Sequence, residues 1–424
     1  MSMTEVRADV INLGEPSFWG RPLPERYEAF AELRRTPGLT FHEAPVFSGM
    51  PESPGWYAAV RMDDIHEISR HPEIYSNGVG AIRTFDWPEP FWDVFESIIA
   101  MDDPRHARLR RLVSRSFTPG ILRRVEESIQ RIAAEIVDSV QARGECDFVH
   151  DIAAALPLKV ICDMVGIADD EYEFVFEKSS MILGAEDPEY AAQFPDFFTA
   201  LMSSAHDLIG LIERHCDERE KNPTEDLTSV LVHAEVDGEK LTRAEIGRFF
   251  ILLLVAGNET TRNAIAHGMR YLTENPDQRA IWAADFDGVA PTAVDEIVRY
   301  ASPVIYMRRT VAEATTLSGQ PLAVGDKIVM YYQAADRDEA HFEDPERFDV
   351  LRSPNLHVGF GGPGPHFCLG AHLARREITV MFRELFRRLP DIHTTTAPDL
   401  LLGDFVFGVK RQACAFTPVT AVKV

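Results

Sequence analysis

Long apolar runs are missing from this 424-residue chain: the longest uninterrupted one, Phe249 to Ala256, has eight residues, against the roughly 18 to 20 that a helix needs to cross a bilayer. A transmembrane helix is excluded on that count. The first ten residues carry Glu5, Arg7 and Asp9 rather than an apolar segment, so no secretory signal peptide is expected and the cytoplasm is the expected compartment. Cysteine is scarce. The five present, Cys146, Cys162, Cys216, Cys368 and Cys414, form no close pair, which excludes a disulfide framework. Positive charge is also short, 43 Lys and Arg against 67 Asp and Glu for a net charge of −24. That balance argues against nonspecific binding to nucleic acid or anionic membrane and favours small molecules or proteins as partners. No internal period, Ser/Gly linker or charge block divides the chain, so one domain over residues 1–424 is expected.

What is present is the composition of a globular protein with a large core, 45% hydrophobic and 26% charged. A strand-like segment, Trp56 to Val60, precedes a long series of helical patterns from about Pro104 to Ala301. Strand signals return at Val304 to Met307 and Lys327 to Tyr332, an irregular stretch covers Ala334 to Phe367, and one more helix runs from Ala371 to Arg388. The expectation is a mainly α fold with a small β region.

A 34-residue irregular segment inside a compact domain is functional more often than not. Its end holds the densest group of special residues: Gly359, Phe360, Gly361, Gly362, Pro363, Gly364, Pro365, His366, Phe367, Cys368, Leu369 and Gly370. Gly359, Gly361 and Gly364 fit the phosphate-cradling G-x-G-x-x-G, but no buried strand precedes them and too few residues follow for a second βα unit. His366, Cys368 and His372 supply three zinc ligands without a fourth. A glycine-rich loop ending in a buried free thiol is the bland alternative. The remaining reading is a haem thiolate: a cysteine at a helix N-terminus has its thiolate favoured by free amides and the helix dipole, and such a thiolate ligates haem iron.

This segment resembles the cysteine-ligand loop of the cytochrome P-450 superfamily, Phe-Gly-x-Gly-x-His-x-Cys-x-Gly. It departs in one place, since Phe360 lies eight residues before Cys368 rather than seven and Gly361 takes the usual aromatic position. The resemblance implies a P-450 fold, with a long central helix over haem b (iron protoporphyrin IX) and the Cys368 loop beneath it. In that reading Cys368 is the axial iron ligand, Phe360 shields its sulfur, and the glycines, Gly370 included, let backbone lie against the macrocycle.

Other segments agree with it. Thr242-Arg243-Ala244-Glu245 fits a capping box opening a helix that runs to about Glu274, where Asn275-Pro276 stops it. Its apolar run should be central and buried. Directly after comes Ala256-Gly257-Asn258-Glu259-Thr260-Thr261. On its own this is a back-bonded threonine in a core helix; by resemblance it is the oxygen-activation motif, with Gly257 making room for dioxygen and the pair Glu259 and Thr260 managing protons. Glu296 and Arg299 read as a surface salt bridge from spacing alone. The resemblance places them, with Arg347, in a buried network bracing the cysteine loop. Haem carboxylates need cations, and His106, Arg110, Arg309 and His366 match the family's four; the alternative for the first two is a solvated basic face.

The resemblance extends from about Trp56 to the C-terminus. It implies a monooxygenase that inserts one oxygen atom of O2 into a C–H bond, with electrons from a ferredoxin and a ferredoxin reductase. Arginines at 105–115 and 375–388 are candidates for the ferredoxin face. The segments expected around the substrate are apolar: Leu252 to Ala256, Val304-Ile305-Tyr306, Phe405-Val406-Phe407, and the aromatics Phe85, Trp87, Phe91 and Trp92. The subgroup most resembled is that of actinobacterial methyl-branched-lipid ω-hydroxylases and cholesterol hydroxylases. A hydrophobic substrate hydroxylated at a terminal methyl is therefore expected.

Overall fold

The computed structural model describes residues 11–45, 53–116, 119–184, 189, 197–236 and 238–419. Helices dominate, as the periodicity requires. The long ones, Pro119–Val140, Ala155–Val165, Phe197–Lys221, Glu259–Glu274, Phe286–Ala301 and Ala371–Arg388, pack around one large apolar core. Beside it stands a five-stranded sheet in the order Thr40–His42, Trp56–Ala59, Lys327–Tyr331, Tyr306–Val311, Tyr75–Ser76, antiparallel except where Trp56–Ala59 runs parallel to Lys327–Tyr331. Val304, expected to open a strand, makes only an isolated bridge to Val406, and the strand begins at Tyr306. Alternation along it puts Met307 and Arg309 on one face and Tyr306 and Arg308 on the other.

The central helix differs most from its sequence. Its N-terminus is the expected capping box, with Thr242 accepting from the Glu245 amide and Glu245 accepting from the Thr242 amide. It is not one regular helix: Arg243–Leu252 passes into a π-helical turn, Leu253–Asn258, before α geometry resumes at Glu259. Such a turn inserts one extra residue and rotates the side chains beyond it. The apolar run is consequently divided. Phe249, Phe250, Ile251 and Leu254 are buried, Leu252 and Val255 are half-buried, and Ala256 is exposed.

From Asp336 to Gly370 the chain forms no helix or strand, as expected, and is held by side chains instead. Glu296 and Arg299 are both fully buried and form a two-pronged pair at 2.7 and 2.8 Å. Arg299 also donates to the backbone oxygens of Asp336, Pro345 and Arg347. The expected third member is corrected here. Arg347 contributes only that carbonyl and its side chain is exposed; the guanidinium that reaches Glu296 is Arg352, at 3.2 Å. Two-pronged geometry needs a planar donor approaching in the carboxylate plane, and the backbone after Phe348 delivers Arg352, not Arg347, to that position.

Candidate active site

The Cys368 loop is a closed turn. Gly361 adopts φ +87°, a conformation that L side chains disfavour, with its amide bonded to Val358 O, and the Cys368 amide closes on Phe360 O at 3.0 Å. Asp336 anchors the approach through the Val358 amide at 2.7 Å and the Ser302 hydroxyl at 2.9 Å. Three of the other glycines are close to protein neighbours. A Cβ at Gly362 or Gly364 would strike Ser69, and one at Gly359 would strike Val298. Gly370 caps the helix Ala371–Arg388 and has open space where its Cβ would be.

Burial raises the Cys368 thiol, opposed by a hydrogen bond from the Gly370 backbone and by the charges of Arg110 and Arg375. Although enclosed by protein atoms, the residue retains open surface. Phe360 lies beside it with the Arg375 guanidinium 4.4 Å from its ring centroid. Arg375 in turn is bonded to Asp295 at 2.6 Å.

Four groups far apart in sequence converge above this loop. The rings of His106 and His366 lie 4.1 Å apart, and His366 feels the charges of Arg309 and Arg110. Burial first, then nearby Arg309, His106 and Arg110, pushes the His366 imidazole down to about 2. Among the described residues, neither Arg110 nor Arg309 has a carboxylate partner: Arg110 donates to Phe367 O at 2.7 Å and Arg309, only 5% exposed, to Arg308 O at 2.8 Å. His106 Nδ1 lies 3.3 Å from Asp103, while its Nε2 is buried with no partner. A solvated basic face is ruled out for His106, which is 2% exposed.

On the central helix, Thr260 Oγ1 donates to Ala256 O at 2.7 Å, the back-bond that the sequence leaves open. Glu259, 2% exposed, pairs with Arg262 and accepts from Asn263 Nδ2 at 3.2 Å. Both line a cleft of about 170 Å³ whose walls are mostly apolar, among them Phe85, Trp87, Phe91, Leu252, Val255, Ala256, Val304, Met307, Phe405 and Val406. Several expected lining residues are elsewhere. Trp92 turns its indole N–H to Trp87 O, Ile305 and Tyr306 are buried, and Phe407 stacks on His267 at 4.1 Å. At Gly257 an added Cβ would meet the terminal methyl of Ile161 at 2.9 Å, and its neighbours Ala256 and Thr260 line the cleft. Sequence reasoning missed Arg83, which sits in the cleft wall between Phe85 and Phe405 and bonds Asp404 and Tyr306.

The cytochrome P450 family model matches residues 58–283 and 289–400. The chain belongs to the cytochrome P450 family. It is 46% identical over 409 residues, 96% of this chain and 94% of the other, to the methyl-branched lipid omega-hydroxylase of Mycobacterium tuberculosis. With the steroid C26-monooxygenase of Mycolicibacterium smegmatis the identity is 38%, over 92% of this chain and 90% of the other. A Mycobacterium marinum cytochrome P450 solved in complex with pseudoionone superposes with a TM-score of 0.91 at 41% identity, covering 97% of this chain and all of that one. The protein is thus a P450 monooxygenase, an oxidoreductase whose family carries a haem-thiolate iron. The donor set fits that group. A thiol before a helix N-terminus, with Arg110 beside it, and a His106–His366 pair near Arg309 whose His106 Nε2 is buried and, among the described residues, without a partner, suit an iron-binding ring with two carboxylates. Among the described residues no helix is long and apolar enough to cross a membrane.

Proposed function

We propose that this single-domain P450 works in the cytoplasm with haem b and hydroxylates the terminal methyl of a methyl-branched fatty acid, isoprenoid or sterol side chain, drawing electrons from a ferredoxin and its reductase. The observation that carries the substrate class is the cleft: aromatic and aliphatic walls lead to Ala256 and Thr260 on the central helix. Such a lining favours an apolar chain by ~25 cal/mol for each Å² removed from water. The names of the similar hydroxylases support the same class.

When bound, the haem supplies the activation of dioxygen by two electrons. Cys368 would be its ligand, with the Gly370 backbone and the charges of Arg110 and Arg375 opposing the burial that raises the thiol, and Phe360 beside the sulfur. His106, Arg110, Arg309 and His366 hold its carboxylates, His106 through the Nε2 that lacks a partner. Thr260 keeps its hydroxyl at the cleft by donating to Ala256 O, which leaves its lone pairs free to accept. Glu259 supplies protons to that hydroxyl and at rest is paired with Arg262.

Product analysis by mass spectrometry with matched branched and straight chains tests the reading. Terminal hydroxylation with a preference for branched chains is expected; mainly in-chain products, or no preference, would overturn it.

A further inference from the structure

Asn263 is fully buried one turn beyond Glu259, and its carboxamide makes two bonds. Nδ2 donates to Glu259 Oε1 at 3.2 Å, and Oδ1 accepts the Val409 amide at 3.0 Å. Val409 ends the loop 401–408, whose Leu401, Leu402, Phe405 and Val406 form one wall of the substrate cleft. Gly408 lets the loop fold tightly on itself, because a Cβ there would press on Leu401 at 3.0 Å. One turn further along the helix, His267 grips the same loop by stacking on Phe407 and contacting Phe407 O at 3.1 Å.

We propose that Asn263 is a positioning residue that couples the cleft loop 401–408 to the Glu259 carboxylate, so that the presence of a chain in the cleft sets the position of the proton-donating acid. This rests on the proton role proposed for Glu259. Asn263 is 0% exposed and lies outside the cleft lining, so the loop wall connects it to the cleft. A chain that packs against Phe405 and Val406 seats the loop, fixes the Val409 amide and, through one rigid carboxamide, fixes Glu259 Oε1. With the cleft poorly filled the loop is looser, and the acid is left to Arg262. The expected result is that well-fitting chains are hydroxylated with less waste of electrons than poorly fitting ones.

The test uses the purified holoenzyme. In wild type, a saturating branched chain should slow hydrogen–deuterium exchange in the peptide containing Val409. Asn263→Leu, close in volume but unable to hydrogen bond, should speed that exchange about fivefold, the ratio a lost hydrogen bond of ~1 kcal/mol produces. The same variant should lower product per electron pair several-fold while cofactor content and substrate dissociation constant stay within about twofold. The proposal is overturned if product per electron pair is unchanged, if it falls only in step with cofactor content and affinity, or if the substrate leaves Val409 exchange unaffected in wild type. Glu259→Gln separates the two readings. An unchanged yield there removes the proton role and this proposal with it, whereas a reduced yield beside a normal Asn263→Leu overturns only the tether.

Discussion

Replacing Arg299 by Leu should release the segment that carries Cys368. Arg299 and Glu296 are both 0% exposed, and breaking a buried pair by removing one partner costs about 3–5 kcal/mol, because the remaining charge stays desolvated. Two features of the structure shift that figure in opposite directions. Glu296 keeps Arg352, Asn355 Nδ2 and the Asp349 amide as donors, which holds the loss toward the lower end. Against this, the oxygens of Asp336 and Pro345 lose their Arg299 donor, and a buried carbonyl without a partner costs about 1–3 kcal/mol. A net loss of about 4 kcal/mol is expected, a large share of the ~5–15 kcal/mol by which domains are stable. Since those oxygens lie in the irregular segment before the Cys368 loop, cofactor should be released before global unfolding. Arg299→Lys keeps the charge without the planar fork and should fall between. Urea titration followed both by tryptophan fluorescence and by release of the cofactor measures each quantity. A loss under about 1 kcal/mol in Arg299→Leu, with cofactor released at the wild-type urea concentration, would refute the argument.

Cys368→Ala should abolish the red-shifted absorption band of the reduced, carbon-monoxide-bound protein; persistence of that band would end the ligand assignment. Electron transfer from an acidic ferredoxin should slow as salt rises, but only modestly, because Arg105, Arg108, Arg375, Arg376, Arg383, Arg387 and Arg388 already pair with acids of this chain. Rates independent of salt would count against a docking face there. Burial holds His267 down at about 3, so between that value and the ~6.5 of an unfolded histidine the unfolded chain binds more protons than the folded one, and stability falls as pH drops. From pH ~6.5 to 5 this amounts to about 1.6 kcal/mol, and His267→Phe should lose that much less stability over the interval by urea titration; equal acid sensitivity would disprove the shift.

The linear sequence determined the helical class, the capping box at Thr242 and Glu245 and the irregular stretch before Cys368, because each depends on spacing within a few residues of chain, and family resemblance singled out the Cys368 thiol. It also marked His106, Arg110, Arg309 and His366, although only folding sets these four around one another across some 260 positions. The π turn at Leu253–Asn258 was not legible, since an apolar run has no periodicity from which an extra residue could be read. Nor was the choice of Arg352 over Arg347, two arginines five residues apart whose roles depend on the path of an irregular backbone. The same holds for Gly257 and the loop glycines. Sequence shows that a side chain is absent, while the neighbour an added Cβ would meet, Ile161, Val298 or Ser69, lies on another element and is brought there by tertiary packing alone.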